Sequence, residues 1–168
     1  MKRRNLWEVE EFLIIFLLTL ALIAAGIYIL TRKPKPEPPE GYHYVLYVID
    51  GDTIIIDYHG QREFIRLLRI NTPEREQYGY SQAKRAMIRL VGRKRIRLEF
   101  EPAGRVRRDK YKRILAYVWV DDLNVNIEMV RLGWSRFWAR YEAGKYAGEF
   151  RAAEREAREN KRGLWKRR

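Results

Sequence analysis

The 168-residue chain carries 35 Lys+Arg against 22 Asp+Glu, a net charge of +13, and no cysteine. That length holds one ordinary globular domain, and the charge favours a polyanionic partner, nucleic acid or an anionic membrane surface, over any acid-rich calcium buffer or solvating tail. The missing thiols exclude disulfide scaffolds, thiolate zinc sites and cysteine nucleophiles.

Residues 1–11 form a basic N-terminal segment with Lys2, Arg3 and Arg4. Residues 12–30 then run without a charge, with Thr19 as the polar interruption. As a helix this run spans about 28 Å, close to the hydrocarbon thickness of a bilayer. It has no polar face, which argues against a core helix. Ala24-Ala25-Gly26, with Ile23 before it and apolar residues after it, makes a poor cleavage site, so the segment reads as a retained transmembrane signal anchor. Residues 31–41 hold four of the six prolines and read as a semi-extended linker. The remaining 42–168 keep 29 basic and 17 acidic residues, so the positive charge belongs to the domain.

Within that domain, residues 42–49, 53–58 and 63–70 read as three strands joined by tight turns at Asp50-Gly51-Asp52 and His59-Gly60. Residues 81–91 place Ala83, Met87 and Leu90 at helical spacing, with Gly92 as the stop. Residues 94–101 alternate strictly, and 113–120 make a fifth strand. Residues 125–132 and 142–159 are helical, the last with Tyr146, Phe150, Ala153 and Ala157 on one stripe. Five short strands with helices in the middle and at the end predict a mainly β, α+β domain: a small barrel with appended helices.

Three polar clusters interrupt the strands. Asp50-Gly51-Asp52-Thr53 is a hairpin turn with one carboxylate more than a turn needs. Asn71-Thr72-Pro73-Glu74 reads by itself as an exit turn, while Arg66 sits oddly inside an apolar strand. A basic run from Arg105 to Arg113, including Lys110, Tyr111 and Lys112, reads by itself as a solvated loop. Tyr117, Trp119, Trp134 and Trp138 read as packing rather than base-stacking residues.

Taken together, YVIDGDT, IRLLRINTPE, DKYKRILAYVWV, VNIEMVRLGW and AAEREARENKRGLW resemble the staphylococcal nuclease (thermonuclease) family over 42–165. The resemblance implies a five-stranded OB-type barrel with three helices, here preceded by the transmembrane helix. It implies a calcium-dependent phosphodiesterase acting on DNA and RNA with low sequence specificity. Asp52, Asn71 and Thr72 correspond to the calcium ligands, with Asp50 just outside them. Glu74 corresponds to the group that orients or deprotonates the attacking water. Arg66 and Arg113 correspond to the guanidinium groups on the scissile phosphate, and Lys110 and Tyr111 to the pair on a neighbouring phosphate.

Two departures stand out. Asn71 replaces a carboxylate, which weakens calcium binding by one charge. Lys112 stands where many relatives have glycine, so either the loop is rebuilt or Lys112 accepts a positive φ. A calcium site so weakened suits extracellular calcium and an outward-facing domain. No feature asks for a protein partner. The alternative is a degenerate nuclease-like OB domain that only binds nucleic acid at the membrane.

Overall fold

The computed structural model describes residues 6–31, 41–139 and 144–167. Lys2, Arg3, Arg4 and most of the proline-rich linker lie outside these. The chain divides into two units, Met1–Glu37 and Pro38–Arg168.

The first unit is one helix, α1 (Leu6–Thr31). Its window Glu11–Tyr28 is long and apolar enough for a membrane span or a signal sequence. Thr19 and Thr31 turn their hydroxyls back onto the carbonyls of Phe16 and Ile27, each at 2.8 Å, so these two hydroxyls are satisfied within the helix.

The second unit takes its strands and helices in the order β1 (Tyr42–Val48), β2 (Thr53–Tyr58), β3 (Gln61–Leu67), β4 (Ile70–Asn71), α2 (Tyr80–Val91), β5 (Arg95–Glu99), β6 (Arg107–Arg108), β7 (Ile114–Val120), β8 (Leu123–Asn124), α3 (Val125–Arg131), β9 (Arg136–Phe137) and α4 (Ala147–Glu159). A 3-10 turn covers Gly163–Arg167. Strands β3-β2-β1-β5-β7 pair in that order, and β7 returns to pair β3 in parallel, closing a five-stranded barrel. The expected strand, helix and barrel architecture is therefore present.

The two-residue period decides what faces where. Ile54 and Ile56 of β2, and Ile65 and Leu67 of β3, are fully buried in the barrel. Thr53, Ile55, Phe64 and Arg66 therefore share the opposite face, with Thr53 paired to Arg66 and Ile55 to Phe64. Helix α2 covers the barrel with Ala83, Ala86, Met87 and Val91 and ends at Gly92, as its sequence predicts. Helix α3 begins at Asn124, whose side chain accepts from the Ile127 N–H at 3.1 Å. The buried Asn126 accepts from the Val118 N–H and donates to the Leu68 carbonyl, both at 2.9 Å, tying α3 to β7 and to the exit of β3.

The last helix starts later than periodicity suggests. Tyr146 precedes α4 with non-helical angles, and its ring stands edge-on to Tyr117 at 5.0 Å. Phe150, Ala153 and Ala157 supply the buried stripe, while Glu142 lies outside the described residues. Among the described residues, every buried apolar residue falls between Val45 and Trp165, so this unit encloses its own core, as a domain able to fold alone does.

Candidate active site

The β1–β2 turn carries Asp50 and Asp52. It bends because the Ile49 N–H bonds the Thr53 carbonyl at 3.0 Å and the Asp52 N–H bonds Asp50 Oδ1 at 2.9 Å. Gly51 lets this turn press on its neighbours: a Cβ there would stand 2.7 Å from Thr72 Cγ2 and 2.9 Å from Ala83 Cβ. The close approach brings Asp52 to the segment after β4.

Asp52, 6% exposed, is held from three sides. Its Oδ2 accepts from the Thr72 N–H at 2.9 Å and the Thr72 hydroxyl at 3.0 Å. The Arg66 guanidinium stands 3.3 Å from the same oxygen, and the Thr53 hydroxyl donates to Oδ1 at 3.1 Å. Asp50 is raised above the ordinary carboxyl pKa by burial, then by the charge of Asp52, with Arg66 only partly compensating. At Asp50, burial and the neighbouring Asp52 charge thus outweigh the backbone donors of Asp52 and Thr53 as well as Arg66.

Arg66 leaves the outer face of β3. It donates to the Leu67 carbonyl at 2.8 Å and reaches Asn71 Oδ1 at 3.4 Å. Asn71 is fixed from behind by the buried Ser135, whose hydroxyl accepts its N–H at 2.9 Å. Glu74 follows in an exposed turn, where its N–H bonds Gln77 Oε1 at 2.9 Å. Among the described residues its carboxylate has no hydrogen-bond or ion-pair partner, leaving it open to water.

The loop before β7 supplies the second guanidinium. Asp109 Oδ1 accepts the N–H groups of Tyr111 and Arg113 at 2.9 and 3.0 Å. Its Oδ2 accepts Arg113 Nε and Nη2 at 2.8 and 2.7 Å. Burial alone would raise the Asp109 carboxyl, but the Arg113 guanidinium and these backbone donors hold it below its ordinary range. The third nitrogen of Arg113 donates to Thr53 Oγ1 at 3.1 Å, so Thr53 bridges Asp52 and Arg113. Tyr111 is exposed, with the Lys110 ammonium 4.9 Å and the Arg113 guanidinium 5.3 Å from its ring centre. Lys112 takes φ +63°, so the loop keeps a left-handed residue and is not rebuilt around the lysine.

Arg66 and Arg113 meet across the parallel ladder, where Arg66 pairs with Leu115. Together with Arg107, Leu115 and Trp138 they line a cleft of about 410 Å³. Asp50, Asp52 and Glu74 lie outside that lining. The oxygen donors of Asp50, Asp52 and Asn71 suit a hard cation, although among the described residues no three acidic or imidazole groups converge as a metal cage.

The sequence matches the family described as Staphylococcal nuclease homologue over residues 64–167. It is 36% identical over 143 residues to a thermonuclease of Staphylococcus intermedius, covering 81% of this chain and 83% of that protein. The chain belongs to this family. It is also 38% identical over 125 residues to endonuclease YncB of Bacillus subtilis, covering 70% of this chain and 58% of that protein. The SPbeta prophage-derived endonuclease YokF of the same organism is 38% identical over 125 residues, 70% of this chain and 41% of that protein. The chain thus spans less than two thirds of the two Bacillus relatives.

Within this nuclease-family barrel, Asp52, Arg66, Asn71, Thr72 and Arg113 converge through direct bonds or through Thr53, and Asp50 holds the turn beneath them. Glu74 lies two residues beyond Thr72 and, among the described residues, makes no bond to the group, while Lys110 and Tyr111 flank Arg113. Asp109, Thr53 and Ser135 are the supporting residues that sequence reading passes over. Asp109 is hidden by its basic neighbours, and the other two look like ordinary strand and turn hydroxyls. Trp138 is 41% exposed at the cleft and is not packed away like Tyr117.

Proposed function

We propose that the chain is a calcium-dependent nuclease hydrolysing DNA and RNA phosphodiesters with low sequence preference. The observation that carries this reading is the pairing of Arg66 and Arg113 on one cleft beside the Asp50–Asp52 carboxylates. Two planar guanidinium forks fit the two charged oxygens of a phosphodiester, and both are partly desolvated, which strengthens them. Guanidinium contacts to phosphate carry no sequence information, which is the basis of the low preference proposed.

Asp52 and Asn71, with the Thr72 carbonyl and Asp50 beside them, are the residues that would hold calcium. When bound, the ion supplies positive charge against the oxygens on which negative charge develops. Glu74 accepts the proton of a water as its oxygen attacks phosphorus and the bond to the leaving oxygen breaks. Arg66 and Arg113 bind the non-bridging oxygens and stabilise the charge that builds there, while Lys110 and Tyr111 hold a neighbouring phosphate.

The apolar α1 supports a second part of the reading: a single-pass anchor that places the barrel outside the cell, where calcium is plentiful. The test incubates 42–168 with plasmid DNA and with single-stranded RNA, in calcium and in chelator. Calcium-dependent cleavage of both is the expected result. Binding without cleavage in any divalent metal would leave a nucleic-acid-binding domain instead. For the anchor, the full chain should stay with membranes through alkaline extraction.

A further inference from the structure

On the outer face that also carries Thr53 and Arg66, the barrel has an apolar strip to which the proposed catalysis assigns no role. The register of β1 against β2 slips at Leu46, so Leu46 and Tyr47 both face outward, 43% and 58% exposed. Tyr47 pairs with Ile55 of β2, and Ile55 pairs with Phe64 of β3, giving an unbroken outer row across three strands. On the other side of β1 the strip continues onto Ile88 of α2, which with Leu46, Tyr47, Lys84 and Arg93 lines a shallow groove of about 200 Å³. Phe64 and Ile88 are 46% and 45% exposed.

The rim of this strip is basic. Helix α2 contains Lys84, Arg85 and Arg89 and no acidic residue, and Arg93 follows it. The Lys84 ammonium lies 5.5 Å from the centre of the Tyr47 ring, its stem lying along the strip. An apolar centre carrying a tyrosine and a phenylalanine, bordered by long cationic side chains, matches the boundary between acyl chains and anionic headgroups.

We propose that this strip docks the barrel on an anionic lipid surface. The proposal rests on the reading of α1 as a retained anchor. Residues 32–41 separate α1 from β1, and fully extended they reach no more than about 36 Å. A barrel on so short a tether meets the headgroups continually, so even a modest intrinsic affinity is amplified by effective concentration. The aliphatic share of the strip, Leu46, Ile55 and Ile88, favours lipid over nucleic acid, whose bases stack on flat aromatic faces.

The test uses the 42–168 unit, which encloses its own core, in sedimentation with vesicles of phosphatidylcholine alone and of phosphatidylcholine mixed with phosphatidylserine. The expected result is binding to the mixed vesicles that weakens as salt is raised. The variant L46S/Y47S/I88S should lose on the order of tenfold in vesicle affinity or more. K84Q/R93Q should lose binding to mixed vesicles only. Leu46, Tyr47, Ile88 and Arg93 are exposed and Lys84 is half-buried, so circular dichroism and a melting curve check that each variant keeps the parental fold. No vesicle binding by the parent unit overturns the proposal. So does equal binding by the serine variant, which would reduce the effect to bulk charge. Loss of oligonucleotide affinity with unchanged vesicle binding would assign the strip to nucleic acid, and loss of a dimer in gel filtration would assign it to a second copy. Alkaline extraction of the full chain reads the anchor separately, so failure of docking and failure of anchoring are told apart.

Discussion

Asp109→Asn isolates how the second guanidinium is aimed. The carboxylate accepts four hydrogen bonds, two from backbone N–H groups that shape the loop and two from Arg113. Asparagine keeps one oxygen, enough for the backbone pair, but turns an amino group toward the guanidinium. Two charge-assisted bonds then vanish at a pair with 25% and 17% side-chain exposure, where solvent screens much of the attraction. The stability cost should be about 1–2 kcal/mol, a fall in Tm of roughly 4–8 °C for a domain of this size. The catalytic cost should be larger, because Arg113 then has Thr53 as its one remaining fixed partner in the cleft. Misplacement by about 1 Å is worth on the order of 10²-fold in turnover. Steady-state cleavage of a short fluorogenic oligonucleotide, at a temperature well below both melting points, separates the two effects. A variant that melts several degrees lower yet cleaves at the parental kcat would refute the idea that Asp109 positions Arg113.

Arg66→Lys and Arg113→Lys keep the charge but lose the fork, so each should depress kcat far more than oligonucleotide affinity, read by kinetics and by binding in chelator. Asn71→Asp should lower the calcium concentration giving half-maximal cleavage and leave saturated turnover within a few-fold, whereas Glu74→Gln should cost on the order of 10²–10⁴-fold even at saturating calcium. Lys112→Gly relieves a side chain at φ +63° and should raise stability by about 1 kcal/mol in urea unfolding. Glu101 gives the pH test: burial would raise it, but the Tyr117 hydroxyl, the Lys145 N–H and Arg69 hold it below its ordinary 4.5. Its contribution is complete above that value and is lost as pH falls through the lowered folded pKa, so the stability gap between the parent and Glu101→Gln should narrow in acid.

The barrel was legible because its strands are short apolar or alternating runs bounded by turn signals. Residues 94–101 alternate strictly, whereas 53–58 and 113–120 read as apolar runs, and each becomes a strand of the barrel. The start of α4 was less legible. Tyr146 fits the helical stripe in spacing, yet its ring is held against Tyr117 and Trp119 and its hydroxyl donates to Glu99, contacts made from outside the helix. Among site residues, Asp52 and Arg66 stood out as charges beyond what a turn or an apolar strand needs, whereas Arg113 was picked out of its basic run only by the family resemblance. Thr53 and Ser135 were not, because a hydroxyl on an outer strand face or in a turn costs nothing that a pattern would register. Their roles arise only when residues 60 and 64 positions apart meet.

The parallel pairing of β3 with β7 bears on when the protein can first act. Arg66 and Arg113 lie close to 50 residues apart in sequence, and the ladder that unites them is the one that completes the ring of strands. Contacts so distant along the chain pay their loop-closure entropy before any bonding rewards it, and they form late. On the proposed function, a chain still emerging from the ribosome holds apart the two arginines that would grip phosphate. The proposed hydrolysis would thereby wait for the finished fold, in which the last pairing to form is also the one that completes the cleft.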